Sequence, residues 1–184
     1  MRSLTTAALI TLAATSAGAQ PARRFTLTSP DFKAGGRLAT KQVFNGMGST
    51  GGNVSPALAW ANAPAGTKSF AVTAYDPDAP TGSGWWHWVV FNIPASAKGL
   101  AEGAGDPAKS IAPAGSVQWR TDFGAPGYGG PCPPPGKPHR YVFTAFALKT
   151  DKIDVPANGT AAMVGFNLNA NVLAKATLTG LYGR

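Results

Sequence analysis

The stretch Asp76–Pro94, DPDAPTGSGWWHWVVFNIP, carries the strongest structural signals in the chain. Its first half holds two acidic residues among prolines and glycines, which fix or free the backbone and are typical of a turn-rich loop. Its second half, Trp86–Ile93, is aromatic and β-branched and predicts a buried strand. The sequence therefore predicts a stiff acidic loop that runs into a core strand, with His87 near the start of that strand.

A second stretch, Gly130–Leu148, has the same organisation. It reads GPCPPPGKPHRYVFTAFAL, a Pro/Gly loop followed by an aromatic strand, and it contains His139, the second of the two histidines in the chain. Both histidines thus lie where a stiff loop meets a predicted strand. We expect the two loops to meet and to enclose one polar pocket.

The remaining pattern is mostly that of strands. Glycine and proline separate short runs of residues that are either apolar throughout or alternately apolar and polar. One helix is predicted after a cap at Asn158 or Thr160, because apolar residues then recur at helical spacing on one face. The predicted strands are Phe25–Thr28, Ala57–Trp60, Ser69–Tyr75, Ser116–Arg120, Tyr141–Leu148 and a closing strand within Lys175–Gly183. The sum predicts a mainly β, antiparallel sheet or sandwich with one C-terminal helix packed at its edge.

The first 19 residues read as a secretory signal peptide. A basic start is followed by an apolar run over Leu4–Ala14 and by the small-residue pattern Ala17–Ala19. Cleavage there leaves residues 20–184 as a single domain, in the periplasm or secreted. An uncleaved anchor is the alternative. No other stretch approaches the about 20 apolar residues that a membrane-spanning helix needs, so stable membrane insertion is not expected.

Charge and cysteine content narrow the possible partners. The formal net charge is +8, from 16 basic and 8 acidic residues, which favours anionic partners in general. Apart from Arg23–Arg24 the cations are scattered and are not interleaved with aromatics, so nucleic-acid binding is not predicted. The single cysteine, Cys132, excludes an internal disulfide and a Cys-rich zinc site. No cofactor is predicted.

The residues at the predicted pocket are compatible with several roles. His87 and Asp76 can be purely structural, as a core histidine and a turn cap. In an anion pocket, the two histidines donate hydrogen bonds, Asp76 orients one ring, and turn N–H groups complete the cradle. Two histidines and a carboxylate also match a facial metal triad, which the nearby Arg140 opposes. Cys132 is a candidate nucleophile with His139 as its base. Asp76 and Asp78 are a candidate carboxylate pair of a glycosidase.

Taken together, the motifs resemble the phosphatidylethanolamine-binding protein family, in its bacterial Raf-kinase-inhibitor-like branch. The paired loops are the most specific part of the resemblance, which covers nearly all of residues 20–184. The matching segments are DPDAP at Asp76–Pro80, HW at His87–Trp88, GPCPPPGKPHRY at Gly130–Tyr141, NVSPALAW at Asn53–Trp60, TDFGAPGYGG at Thr121–Gly130, and the C-terminal ATLTGLYGR.

The resemblance implies a β-sandwich-like fold with a small anion-binding pocket at one end. Carried onto this chain, the pocket residues are Asp76, Pro80, His87, Pro131, Pro133, His139 and Tyr141, with Asp78, Arg140 and Trp88 as supports. The implied function is non-enzymatic binding of a phosphate-type group, a phospholipid headgroup or a phosphorylated small ligand. The first alternative is a protease or kinase inhibitor that acts as a protein–protein module. The second alternative is a phosphoester or ester hydrolase that uses the same pocket.

Overall fold

The computed structural model describes residues 23–184, so the predicted signal peptide lies outside the described residues and stays a prediction. The described part contains ten strands, one α-helix and two short 3₁₀ turns (Thr40–Gln42 and Pro107–Lys109). The elements are β1 (Thr26–Thr28), β2 (Asn45–Gly46), β3 (Ser49–Thr50), β4 (Leu58–Ala61), β5 (Ser69–Asp76), β6 (Trp85–Pro94), β7 (Gly99–Leu100), β8 (Val117–Gln118), β9 (His139–Leu148), α1 (Ala161–Asn171) and β10 (Val172–Tyr182).

The strands form two main antiparallel sheets. The larger sheet has the order β10-β9-β5-β6-β8, and the smaller has the order β1-β4-β7. Strands β2 and β3 form a separate two-stranded ribbon. The predicted mainly β, antiparallel fold with a single helix is confirmed.

An inner core fills the space between the two sheets. Leu27 and Trp60 of the smaller sheet belong to one apolar cluster with Phe70, Trp88 and Phe143 of the larger sheet. Burying one side chain of this kind contributes roughly 1.5–3 kcal/mol relative to leaving it exposed. This contact makes the fold a sandwich and holds the ends of β5, β6 and β9 in place.

The helix covers the outer face of the larger sheet. Thr160 caps it, because its side-chain oxygen accepts a hydrogen bond from the Met163 N–H at 3.1 Å. Val164 and Leu168 are fully buried against residues such as Val89 and Phe146 of the sheet. Strands β5 and β9 are therefore covered on both faces, which explains why they are apolar almost throughout. The helix lies over a sheet face rather than beside an edge strand.

Strand β6 contains an irregularity that matters for the site. Trp86 pairs with Tyr75 and Trp88 pairs with Ala74, so His87 is an additional residue on β6. Such a bulge changes the direction of the side chains around it. Trp86 packs with the outer cluster and Trp88 with the inner core. His87 is thereby placed at the end of the inner face.

Two predicted segments differ in detail. Only Val117–Gln118 of the predicted edge strand Ser116–Arg120 pairs with β6. The long connection after Pro94 includes β7, which completes the smaller sheet, and the 3₁₀ turn Pro107–Lys109. Among residues 23–184, no helix is long and apolar enough to cross a membrane.

Candidate functional site

A cavity of ≈ 320 Å³ opens where β5 ends and where β6 and β9 begin. Antiparallel pairing of β5 with both neighbours brings these three strand ends together. The acidic loop and the proline-rich loop form much of the wall, so the predicted meeting of the two loops is confirmed. Most of the lining residues lie in these loops or strand ends, and three come from elsewhere: Met47 between β2 and β3, Phe123 after β8, and Arg184 after β10. The others are Asp76, Ala79, Pro80, Thr81, Trp85, His87, Cys132, Pro133, Pro134, Pro135, His139 and Tyr141.

Asp76 and His139 form the polar centre of the cavity. The His139 Nδ1 atom lies 2.8 Å from Asp76 Oδ2, and the Asp78 N–H donates to the other oxygen, Oδ1, at 2.8 Å. Asp76 is only 3% exposed, so its carboxylate depends on these partners in place of water. The pair fixes the orientation of the His139 ring, because a carboxylate accepts only from a protonated Nδ1.

His87 is held by a different partner. Its Nδ1 atom lies 2.7 Å from the carbonyl oxygen of Gly129, and its ring packs edge-on against Tyr141 and Phe123. The ring is 4% exposed. Burial lowers the pKa of His87 below its ordinary value, because the charged imidazolium loses hydration. One histidine is therefore a buried ring with a lowered pKa, and the other is a ring paired with a carboxylate.

Two further donors lie in the cavity wall without a partner. Within residues 23–184, neither the Tyr141 hydroxyl nor the Trp85 Nε1 atom makes a hydrogen bond, although both atoms are buried. Buried donors of this kind cost free energy unless something accepts from them. Burial also raises the pKa of Tyr141, so its hydroxyl stays protonated as a donor.

Asp78 and Arg140 fasten the acidic loop to the start of β9. Asp78 Oδ2 accepts from the Arg140 backbone N–H and from Nε, each at 2.9 Å, and Oδ1 accepts from Nη2 at 2.7 Å. The hydrogen bonds from the Arg140 side chain lower the pKa of Asp78 to about 2. Neither side chain lines the cavity, so their positions match the predicted role of supports.

This lowered pKa gives a pH-dependent contribution to stability. Because the folded-state pKa of Asp78 lies below the ordinary 3.8, its contribution is present above pH 3.8 and is lost as the pH falls towards 2. We expect Asp78→Asn to unfold at lower urea concentration than the parent protein at pH 6. The two midpoints should converge near pH 2. A gap of the same size at both pH values would contradict the role of the Asp78 charge.

The structure brings most of the predicted site residues together. Of the seven predicted pocket residues, six line the cavity: Asp76, Pro80, His87, Pro133, His139 and Tyr141. Pro131 does not. It is buried, and its carbonyl accepts from the Phe44 N–H at 3.0 Å, so it anchors the loop instead of lining the cavity. Trp88 is fully buried in the inner core, where it packs β6 against the smaller sheet.

Residue-by-residue reasoning missed Trp85, Phe123, Arg184 and Met47. Trp85 had a usable signal, since it directly precedes the predicted strand Trp86–Ile93, and in the structure it pairs with Asp76. Arg184 had a weaker one, because β10 returns alongside β9 and brings the residues after it to the start of that strand. Its Nε and Nη1 atoms donate to the carbonyls of Pro133 and Gly48 at 2.7 and 2.9 Å. No local pattern distinguishes Phe123 or Met47.

Two of the alternative chemistries find little support in the geometry. Cys132 contacts the Ser49 hydroxyl and donates to the carbonyl of Met47 at 3.3 Å, and within the described chain it makes no hydrogen bond to either histidine. Over residues 23–184, no group of three or more His, Cys, Asp or Glu side chains is placed to hold a metal ion.

The fold and the site together define an antiparallel sandwich with a proline-lined, two-histidine cavity at one end. A model of the family "Phosphatidylethanolamine-binding protein" matches residues 28–183. The chain therefore belongs to the phosphatidylethanolamine-binding protein family, as the motifs predicted. Membership supports a binding role at the level of the family.

Individual relatives agree with this assignment. The chain is 55% identical to the UPF0098 protein YbcL of Escherichia coli K12 over 162 residues, 88% of each chain. It is 53% identical to the UPF0098 protein YbhB of the same organism over 156 residues, 85% of this chain and 98% of that one. The crystal structure of E. coli YbcL, described as a member of the mammalian PEBP family, matches with a TM-score of 0.85 and 54% identity, covering 88% of this chain and 99% of that one.

Proposed function

We propose that the protein is an exported, non-enzymatic binding protein whose cavity takes a phosphate-type group, either a phospholipid headgroup or a phosphorylated small ligand. The observation that carries the proposal is the Asp76–His139 pair in a cavity that also holds two buried donors without partners. An oxyanion supplies acceptors for several donors at once.

The charge around the cavity favours an anion. Arg184 is fixed in the wall by backbone carbonyls and, within the described residues, forms no salt bridge. Asp76 is the carboxylate in the lining, and its two oxygens already accept from His139 and Asp78. A guanidinium without a carboxylate partner attracts phosphate and carboxylate groups.

The wall also explains why binding needs little rearrangement. Four prolines line the cavity, and proline has a fixed φ, so less conformational freedom is lost when a ligand enters. Trp85, Phe123 and Met47 add an apolar surface beside the polar centre. This combination suits a small molecule with an anionic head and an apolar remainder.

Phosphoethanolamine is the first ligand to test. Because one anion would contact residues of both loops, we expect the NMR signals of both histidine rings to shift together when it is added at pH 7. His139→Ala should raise Kd about tenfold or more, since a hydrogen bond to a charged group contributes about 1.5–3 kcal/mol.

Lys137→Gln is the matched control. Lys137 is exposed in the proline-rich loop that precedes His139, and it does not line the cavity. This variant therefore removes a nearby positive charge and leaves the site intact. Its Kd should stay within about twofold of the parent value, because exposed charges are screened by salt. Rings that ignore the ligand would overturn the proposal and would direct attention to the loop rims as a protein interface. Turnover of the ester would establish the hydrolase alternative instead.

A further inference from the structure

The tautomer of His87 follows from one contact. Its Nδ1 atom lies 2.7 Å from the carbonyl oxygen of Gly129. A carbonyl oxygen only accepts hydrogen bonds, so Nδ1 must carry the proton. When the ring is neutral, its other nitrogen, Nε2, is then a hydrogen-bond acceptor. Within residues 23–184, no group hydrogen-bonds to Nε2, and the ring lines the cavity.

Burial of the His87 ring favours its neutral form. Asp76 on β5 and Asp122 in the loop after β8 favour the charged form, and Tyr141 on β9 faces the ring as an uncharged phenol. Burial outweighs the carbonyls of Gly129 and Gly130 and both carboxylates, so the pKa of His87 lies below its ordinary value. A ligand in the cavity therefore meets a lone pair at this position.

A lone pair in the wall discriminates between oxyanions. A ligand oxygen without a proton is repelled by Nε2, because both atoms present lone pairs. A protonated ligand oxygen instead donates a hydrogen bond to Nε2. Resting on the proposed function, we propose that His87 makes the cavity select oxyanions that still carry a proton over oxyanions of equal charge that carry none. The class includes phosphate monoester monoanions and dihydrogen phosphate.

The remaining polar groups of the cavity complement this selection. Trp85 Nε1 is a donor only, and the Tyr141 hydroxyl has a proton that is not used in any hydrogen bond within the described residues. Both residues line the cavity, so their donors complement the unprotonated oxygens of a phosphate group if they turn towards it, while His87 accepts from the single P–OH. An intact phospholipid headgroup is a diester and has no P–OH to offer, so the inference narrows the ligand to a monoester or to free phosphate.

Three small esters test the selection at equal charge. Near pH 5, methyl phosphate is mostly a monoanion with one P–OH, because the second ionisation of a phosphate monoester lies near pH 6. Methyl sulfate and dimethyl phosphate are also monoanions of similar size, but neither has an ionisable proton. We expect methyl phosphate to bind about tenfold or more tightly than either, measured by calorimetry. Raising the pH to 8 removes its proton and should reduce this preference.

Inorganic phosphate, which is also a monoanion near pH 5, separates the two sources of the ligand. Inorganic phosphate binding as tightly as methyl phosphate would identify the free anion as sufficient. Weaker binding would show that the ester group contributes.

The ring itself provides a test that needs no variant. The ¹⁵N signal of His87 Nε2 should be that of an unprotonated nitrogen in the free protein and in the methyl phosphate complex. His87→Phe, compared with Lys137→Gln, should abolish the preference among the three monoanions. Equal affinities in the parent protein, or a protonated Nε2 in the complex, would overturn the selection and leave anion binding standing. If none of the esters binds, the proposed function and this inference fail together.

Discussion

Gly130→Ala is expected to destabilise the protein by about 3 kcal/mol or more, at the upper end of the cost of overpacking. A Cβ atom at this position would lie 2.0 Å from the carbonyl oxygen of Gln42 and 2.6 Å from the backbone nitrogen of Phe44. Both atoms belong to the main chain, so no side-chain rotation can relieve the clash. The substitution therefore requires the loop before β9 to move away from residues 42–44.

That movement would disrupt the site as well as the fold. The Gly130 N–H donates to Asn53 Oδ1 at 2.7 Å, and the carbonyl of Gly129 holds His87 Nδ1. The carbonyl of Pro131 on the other side accepts from Phe44. We expect phosphoethanolamine binding to be lost even at temperatures where Gly130→Ala is still folded, because the support of His87 and the proline wall shift together.

Gly66→Ala is the matched control for this prediction. A Cβ there meets nothing within 4 Å, although its φ of 82° is left-handed and unfavourable for alanine. The expected cost is about 1–2 kcal/mol, from backbone conformation alone. Urea unfolding of both variants separates the two causes. If Gly130→Ala costs no more than Gly66→Ala, the close approach of the loop to residues 42–44 does not limit the fold.

The sequence predicted the strands that build the site, because their apolar runs are long and are bounded by proline and glycine. It also predicted that the acidic loop and the proline-rich loop meet, since each runs into a strand that carries a histidine near its start. Both predictions rest on local patterns that hold in the folded chain. The same patterns predicted the helix and its cap.

The direction of His87 could not be predicted in this way. Strict alternation along a strand places Trp86 and Trp88 on one face and His87 on the other. In the structure, the bulge on β6 puts Trp86 and Trp88 on opposite faces and His87 beside Tyr141. The bulge depends on pairing with β5, a contact between strands that no local pattern encodes.

The role of Pro131 illustrates the same limit. Motif resemblance placed Pro131 with Pro133 in the pocket, but Pro131 does not line the cavity. The hydrogen bond from Phe44 to its carbonyl turns Pro131 towards residues 42–44. Pro133 lines the cavity together with Pro134 and Pro135. Which prolines reach the ligand is decided by how the loop docks on a distant segment.

Trp88→Ala is expected to cost about 3–5 kcal/mol, the usual range for removing a large buried aromatic side chain. Trp88 is 0% exposed, and its ring meets Tyr128 edge-on with ring centroids 5.8 Å apart. Its Nε1–H donates to Gln118 Oε1 at 2.8 Å, and the amide of Gln118 donates in turn to the Ala104 carbonyl at 2.7 Å. The side chain thus joins β6 to the edge strand β8 and to the loop after β7.

Trp88→Phe separates packing from hydrogen bonding at this position. It keeps much of the apolar volume but leaves Gln118 Oε1 without its donor, so we expect a loss of about 1–3 kcal/mol. Phe166→Ala is the matched aromatic control, because Phe166 is 74% exposed on α1, and its change should stay within about 0.5 kcal/mol. Chemical denaturation measures the free energy of unfolding of Trp88→Ala, Trp88→Phe and Phe166→Ala. Trp88 follows His87 directly, so the ligand affinity of Trp88→Ala tests what holds His87 in place. Lower stability with unchanged affinity would show that the bulge positions His87 without support from the core. Lower stability together with lower affinity would show that Trp88 provides that support.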